Sequence, residues 1–251
     1  MTGSLAGKRA LIYGGATGIG FGCAEALVRE GAQVFLSGRR ENRLREAAGK
    51  LAALGYAAGD ATQEADVARV TAAATEAMGG LDSLVISAGI GGVASIEDET
   101  LEAFRRITEG NLLPHFLASR AAIPHLRASR GGAIIAIASV LGLVGTRRRL
   151  AYCTAKAGVV GMVRAMALDL ADQNIRVNAI CPGFVETELT EAVIAQEADP
   201  AAVLAARKRG NPLGRSGQPS EIGAMAVYLA SDAAAWTTGQ AFAVDGGFTA
   251  R

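Results

Sequence analysis

Tyr152 and Lys156 stand four residues apart in a stretch of helical pattern, so their side chains leave one face of the helix a turn apart. A phenol with its ordinary pKa near 10 is a poor base at neutral pH. An ammonium one turn away favours the phenolate and draws that pKa toward the working range, which makes the pair a candidate general acid/base. The bland alternative is an exposed helical pair, and spacing alone leaves both open. Ser139 lies thirteen residues before Tyr152, directly after the β-like run 133–138. A hydroxyl there can hydrogen-bond a substrate carbonyl, or it can simply end a strand, as serine commonly does. Asn111 falls within a long helical stretch, where asparagine is locally unfavourable: it has a task there, or it is tolerated.

The elements that must position these groups alternate along the chain. Short apolar runs at 10–13, 32–37, 56–59, 84–87, 133–138, 175–180 and 241–244 read as strands. Helical patterns fill the intervals 18–30, 41–54, 64–78, 101–129 and 151–172, and Pro219 opens another over 220–230. Leu44, Ala47, Ala48 and Leu51 show the spacing of one buried helical face. Between Pro182 and Pro219 the pattern loosens. Strand and helix alternation predicts βαβ units, hence an α/β fold with a parallel sheet covered on both faces. Ligands of such sheets bind beyond the carboxyl ends of the strands.

Just past the first strand runs Gly14-Gly15-Ala16-Thr17-Gly18-Ile19-Gly20. Glycines at a strand-to-helix turn let backbone amides approach a pyrophosphate, which the helix N-terminus stabilises. The competing reading is a mere tight turn. The second strand ends in Ser37-Gly38-Arg39-Arg40 with no acid to hold a ribose 2′-hydroxyl. Arg39 can fork onto a 2′-phosphate instead, which favours NADP(H) over NAD(H), unless both arginines are solvated charges at a helix entry. Arg147, Arg148 and Arg149 lie between Ser139 and Tyr152 and can attract an anionic alcohol or ketone substrate, against the alternative of solvated loop charge. Arg207-Lys208-Arg209 reads as an exposed helix end. His115 and His125 read as packing or surface residues, Cys153 as core, and Trp236 as packing or an interface.

Composition bounds the rest. The chain has 251 residues, half of them hydrophobic, enough for one α/β domain with a large core. Lys plus Arg number 25 and Asp plus Glu 24, a balance that argues against a nucleic-acid or membrane-surface partner. Three cysteines and two histidines offer no metal spacing, and the odd cysteine count fits a reducing, cytoplasmic compartment. No apolar stretch reaches the roughly 20 residues of a membrane span.

In order along the chain, Gly14…Gly18-Ile19-Gly20, Asp60, Ala88-Gly89, Asn111, Ser139, Tyr152…Lys156, Pro182-Gly183 and Asp245-Gly246-Gly247 resemble the short-chain dehydrogenase/reductase superfamily, in its common branch of roughly 250 residues. The resemblance covers the whole chain, 1–251, and implies a single Rossmann-like domain of three α/β/α layers. It implies a doubly wound, seven-stranded parallel sheet and hydride transfer between a nicotinamide cofactor and a secondary alcohol or ketone. Tyr152 would be the general acid/base and Lys156 would hold the nicotinamide ribose. Ser139 would orient the carbonyl, and Asn111 would support a water-linked proton relay to Lys156. Asp60, with Ala61 beside it, would meet the adenine. Thr17, Ile19, Ser87, Ala88, Gly89, Pro182 and Gly183 would line the nucleotide, with Val185 and Thr187 holding the carboxamide. Residues 186–211 would form a substrate lid, and the chain would assemble as a homotetramer or homodimer. Three positions depart from the pattern: Tyr13 stands where the family has threonine, Ile86-Ser87 replaces a pair of asparagines, and Thr17 sits where NADP-preferring members often carry a basic residue. A catalytically silent dinucleotide sensor, or an epimerase or dehydratase using the same tyrosine and lysine, are the alternative readings.

Overall fold

The structure, a computed structural model, describes residues 3–250. Seven strands form one parallel sheet in the order β3-β2-β1-β4-β5-β6-β7. They are β1 (Arg9–Tyr13), β2 (Gln33–Gly38), β3 (Gly55–Ala58), β4 (Ser83–Ile86), β5 (Gly132–Ile137), β6 (Ile175–Pro182) and β7 (Ala241–Val244). The order reverses between β1 and β4, so a crevice opens there at the carboxyl edge of the sheet.

Alternate residues of each strand feed two separate cores, as the two-residue strand period requires. Ala10 and Ile12 pack toward α1 (Gly18–Arg29), α2 (Glu41–Leu51) and α8 (Pro219–Ala230). Leu11 and Tyr13 pack toward α3 (Glu64–Met78), α4 (Leu101–Ala128) and α5 (Leu150–Asp169). Leu84, Ile86, Ile134 and Val177 continue that second core with no exposed surface, each contributing about 1.5–3 kcal/mol by burial. This sandwich is the parallel α/β fold that the strand–helix alternation predicts, in the Rossmann-like form that the resemblance implies.

The phenol of Tyr13 takes over the anchoring that a smaller hydroxyl would give. It donates to the Val67 carbonyl at 3.0 Å and shares a 2.9 Å hydrogen bond with Thr71, tying β1 to α3. Burial pushes its pKa up to about 12, so it stays a neutral donor.

Several boundaries differ from the sequence expectation. α2 stops at Leu51 rather than 54 because Ala52 turns left-handed at φ 50°. α5 stops at Asp169 and passes into a tight turn, Ala171–Gln173. The loosened stretch after Pro182 holds two helices, α6 (Glu188–Ile194) and α7 (Pro200–Gly210). Thr187 and Thr190 cap the start of α6 reciprocally, and Asp199 caps α7 with Pro200 in its first turn. The Asp199-Pro200 dipeptide was the signal for α7; both helices lack a clear apolar stripe, which hid them.

Candidate active site

The carboxyl edge of the sheet is cut by a cleft of about 1240 Å³, above the roughly 300–1,000 Å³ of a small-ligand pocket. One wall is the turn after β1. Gly14 has φ 78°, and its N–H and that of Gly15 both donate to the Ser37 carbonyl, at 2.8 and 3.1 Å. A Cβ on Gly14 would lie 2.8 Å from the Ala88 nitrogen, and one on Gly20 would collide with the Gly14 carbonyl. Only a chain without Cβ closes this turn. Thr17 caps α1 without a side-chain hydrogen bond, and the first turn of α1 carries no acid. Its N–H groups therefore face the cleft uncapped, a ready anion site. These features and the cleft volume fit a dinucleotide with its pyrophosphate at α1.

Thr17, Gly18, Ile19, Arg39, Asp60, Ala61, Ser87, Ala88, Gly89, Pro182, Gly183, Val185 and Thr187 line this cleft together with Gly14; Gly20 lies buried just behind it. Asp60 accepts from the N–H and hydroxyl of Thr62 through Oδ1, at 2.9 and 2.8 Å, which fixes the carboxylate at the end of β3. Arg39 is exposed on the rim. Arg40 and Arg43 reach the opposite rim, where Glu188 of α6 lies 3.3 and 3.8 Å away. That bridge was not expected, since no sequence spacing connects residue 40 to residue 188.

The same cleft also gathers Ser139, Tyr152, Lys156 and Asn111 along its lining. Ser139, at the end of β5, is 8 % exposed, and its hydroxyl accepts from the Leu141 N–H at 3.1 Å. The Lys156 ammonium donates to the Ile137 carbonyl at 2.9 Å and sits 5.7 Å from the centre of the Tyr152 ring. Burial pulls its pKa down to about 8. For Tyr152, desolvation is the largest influence and raises the pKa, while hydrogen bonding to Ser139 and the charge of Arg149 lower it. Ser139 first and Arg149 second are the groups that lower the phenol here, while the Lys156 ammonium is turned onto a backbone carbonyl.

Asn111 has no exposed surface and donates to the Ile90 and Ile107 carbonyls at 2.9 and 2.8 Å. Its Oδ1 is buried without a partner, and a Cβ on Gly89 would come within 2.6 Å of it. Pro114 sits inside the same helix and leaves the Gly110 carbonyl without its intrahelical donor. One turn on, His115 is buried, with Nδ1 2.8 Å from the Asn111 carbonyl and Nε2 unpartnered. Burial, reinforced by the charge of Lys156, drives its pKa down to about 3. His115 is thus a neutral packing residue behind the reacting wall.

The arginine run splits. Arg147 and Arg148 are exposed, whereas Arg149 is 8 % exposed and donates to the Gly92 carbonyl at 2.8 Å. None of the three lines the cleft wall itself. The second basic run also splits: Lys208 pairs with Glu186 at 2.8 Å, while Arg207 turns inward over the Phe184 ring at 5.4 Å. A plain exposed helix end does not describe Arg207. Cys153 is half-buried rather than core, and Trp236 is fully exposed, which removes packing within the chain as its role. Among the described residues no cluster of metal-ligating side chains occurs, and no helix is long and apolar enough to cross a membrane.

Residues 14–249 match a family model described as enoyl-(acyl carrier protein) reductase. The chain is 39 % identical over 244 residues to a 2-(S)-hydroxypropyl-CoM dehydrogenase of Xanthobacter autotrophicus, covering 95 % of both chains. A second protein of that organism, named an inactive 2-(S)-hydroxypropyl-CoM dehydrogenase, is 43 % identical over 90 % of this chain and 99 % of its own length. Among solved structures, a short-chain type dehydrogenase/reductase from Mycobacterium marinum superposes with a TM-score of 0.90 at 38 % identity, over 98 % of this chain and 97 % of that one.

Proposed function

The chain belongs to the short-chain dehydrogenase/reductase superfamily and is a nicotinamide-dependent oxidoreductase of CH–OH donors, and from that premise we propose how its residues divide the work. Tyr152 is the general acid/base for a secondary alcohol or the matching ketone. The observation that carries this is the convergence of Ser139, Tyr152, Lys156 and Asn111 along the lining of the cleft that the glycine turn opens. A bound nicotinamide supplies the hydride donor or acceptor. Ser139 holds the carbonyl oxygen, and Tyr152 gives that oxygen its proton in reduction or takes it in oxidation. Lys156 binds the nicotinamide ribose. Asn111, with its unpartnered Oδ1 facing Gly89, seats the water that relays protons to Lys156. Gly14, Thr17, Gly18, Ile19 and Gly20 carry the pyrophosphate; Asp60 and Ala61 carry the adenine. Ser87, Ala88, Gly89, Pro182, Gly183, Val185 and Thr187 line the rest of the nucleotide.

NADP(H) is the preferred cofactor: Arg39, Arg40 and Arg43 crowd the end of β2, where an acid would otherwise repel a 2′-phosphate. Residues 186–211, carrying α6 and α7, form a lid on a single domain. Exposed Trp236 and Leu168, the latter 82 % exposed, support a homodimer or homotetramer, checked by light scattering. Three free cysteines support a cytoplasmic site of action.

The test is oxidation of reduced nicotinamide by a ketone panel, run in parallel with NADPH and NADH. Wild-type turnover that Tyr152→Phe abolishes supports the assignment. Turnover near the wild-type rate after that change overturns it. A second reading, a silent nucleotide sensor, is favoured by the relative named inactive; nucleotide binding without turnover of any alcohol or ketone would carry it.

A further inference from the structure

We infer that Arg149, with Arg148 and Arg207, forms a subsite for a small anionic group on the substrate, a carboxylate, sulfonate or phosphonate, and that Glu197 fills this subsite until the substrate arrives. The inference rests on the reading of Tyr152 as the reacting group.

Arg148 and Arg149 meet one carboxylate here, and the charge of Arg207, some sixty residues on, reaches Arg149. Arg148 donates to Glu197 Oε2 at 3.0 Å. Arg149 Nη2 stands 3.8 Å from Glu197 Oε1, close enough for attraction but too far for a hydrogen bond. That Nη2 is buried and has no hydrogen-bond partner, although the same guanidinium holds the Gly92 carbonyl through Nη1. A guanidinium taken out of water and left half-satisfied is destabilising, so its persistence calls for a ligand. Its pKa is pulled below the usual range, first by desolvation and then by the charge of Arg207, an imbalance that one carboxylate does not offset. An oxyanion with two oxygens to offer can meet the free edge of the guanidinium fork, which Glu197 misses.

Position also points to the substrate. Arg149 caps α5 three residues before Tyr152, about 4.5 Å along the helix axis, and its charge reaches the phenol. Gly92, which holds Arg149, belongs to the segment against which α6 packs: a Cβ on Gly91 would meet Val193 at 2.7 Å. Glu197 lies between α6 and α7 with its side chain 14 % exposed, so its displacement by a substrate anion loosens the lid from Arg148 and Arg149. A keto or hydroxy acid presents both groups at once, a carbonyl or hydroxyl for the phenol and an anion for the guanidinium.

Acetoacetate and levulinate are compared with their methyl esters, which keep the ketone and remove the charge. The wild type should favour each acid in kcat/KM. In Arg149→Met the acid-to-ester ratio should fall about 10- to 100-fold, the size of one lost charge-assisted hydrogen bond. Arg149→Lys, which keeps the charge without the fork, guards against misfolding and should fall between the two. Glu197→Gln removes the internal competitor and should lower KM for the acids alone. An acid-to-ester ratio near one in the wild type, or one unchanged in Arg149→Met, overturns the inference. Failure of the oxidoreductase assignment reads differently: neither acid nor ester is turned over, or Tyr152→Phe turns over both near the wild-type rate. The subsite is then read from binding of acid and ester to the enzyme–NADPH complex by reduced-nicotinamide fluorescence, where equal affinities overturn it.

Discussion

At the nucleotide end of the cleft the surface is made by backbone; at the reacting end it is made by side chains. The Gly14–Gly20 turn presents carbonyls, N–H groups and a helix terminus, and its shape depends on atoms that are missing, the Cβ atoms for which there is no room. The opposite end depends on atoms that are present but poorly solvated: a raised phenol, a lysine drawn to about 8, a histidine drawn to about 3 and an arginine with an idle donor. The first arrangement is cheap to maintain because strands β1, β2 and β4 fix it through regular hydrogen bonds. The second holds desolvated groups that only the surrounding packing keeps in place, which is the expected character of a reacting surface.

The sharpest way to separate the two ends is Tyr152→Phe. It removes one oxygen and keeps the ring, so turnover should fall about 10³-fold, within the range for losing a general acid/base. The nucleotide should still raise Tm, because the turn that holds it is untouched. Loss of both together would break the division. Gly20→Ala attacks the other end. The new methyl meets the Gly14 carbonyl, which the β1–β2 contacts hold in place, and stability should drop by about 3 kcal/mol in denaturant titration. Nucleotide-induced stabilisation should go with it; an unchanged melting curve would refute the backbone account.

A smaller effect tests whether the reacting end really carries stored desolvation. His115 titrates near 3 in the folded protein and near 6.5 when unfolded. A depressed pKa gives stability that is complete above pH 6.5 and is lost as pH falls toward 3. Between pH 6.5 and 5 the protein should lose about 2 kcal/mol on this account. Glu221, held near 2 by Arg215, titrates below that window. Denaturant titrations at the two pH values should show the loss in the wild type and not in His115→Gln. An equal slope in both would mean that the imidazole is solvated.

The same contrast decides what could be read from the sequence. The nucleotide end was legible because its parts are local: a glycine turn, an adjacent strand and a helix start lie within a dozen residues. The parallel sheet needed only alternation, whereas its doubly wound, seven-stranded form came from the resemblance. Ser139, Tyr152 and Lys156 were legible through spacing and resemblance. Arg149 was named as one of three arginines, but which of them turns inward depends on the Gly92 carbonyl and Glu197, and neither is near it in sequence. Arg207 was assigned to the solvent for the same reason. His115 carries no signal at all, since one histidine on a helix looks alike whether it faces water or Lys156.

Glu188 joins the two ends, and it gives the smallest expected effect. Its carboxylate belongs to the lid helix α6, yet it lies against Arg40 and Arg43 at the nucleotide rim. All three side chains are about half exposed, so each pair contributes no more than about 1 kcal/mol. A 2′-phosphate arriving at the same arginines competes with that carboxylate. Removing the competitor in Glu188→Gln should therefore tighten NADPH by about two- to fivefold and leave NADH behind, the change shrinking as salt is raised. If NADPH and NADH tighten equally, the bridge belongs to the lid alone, and the nucleotide rim does not sense it.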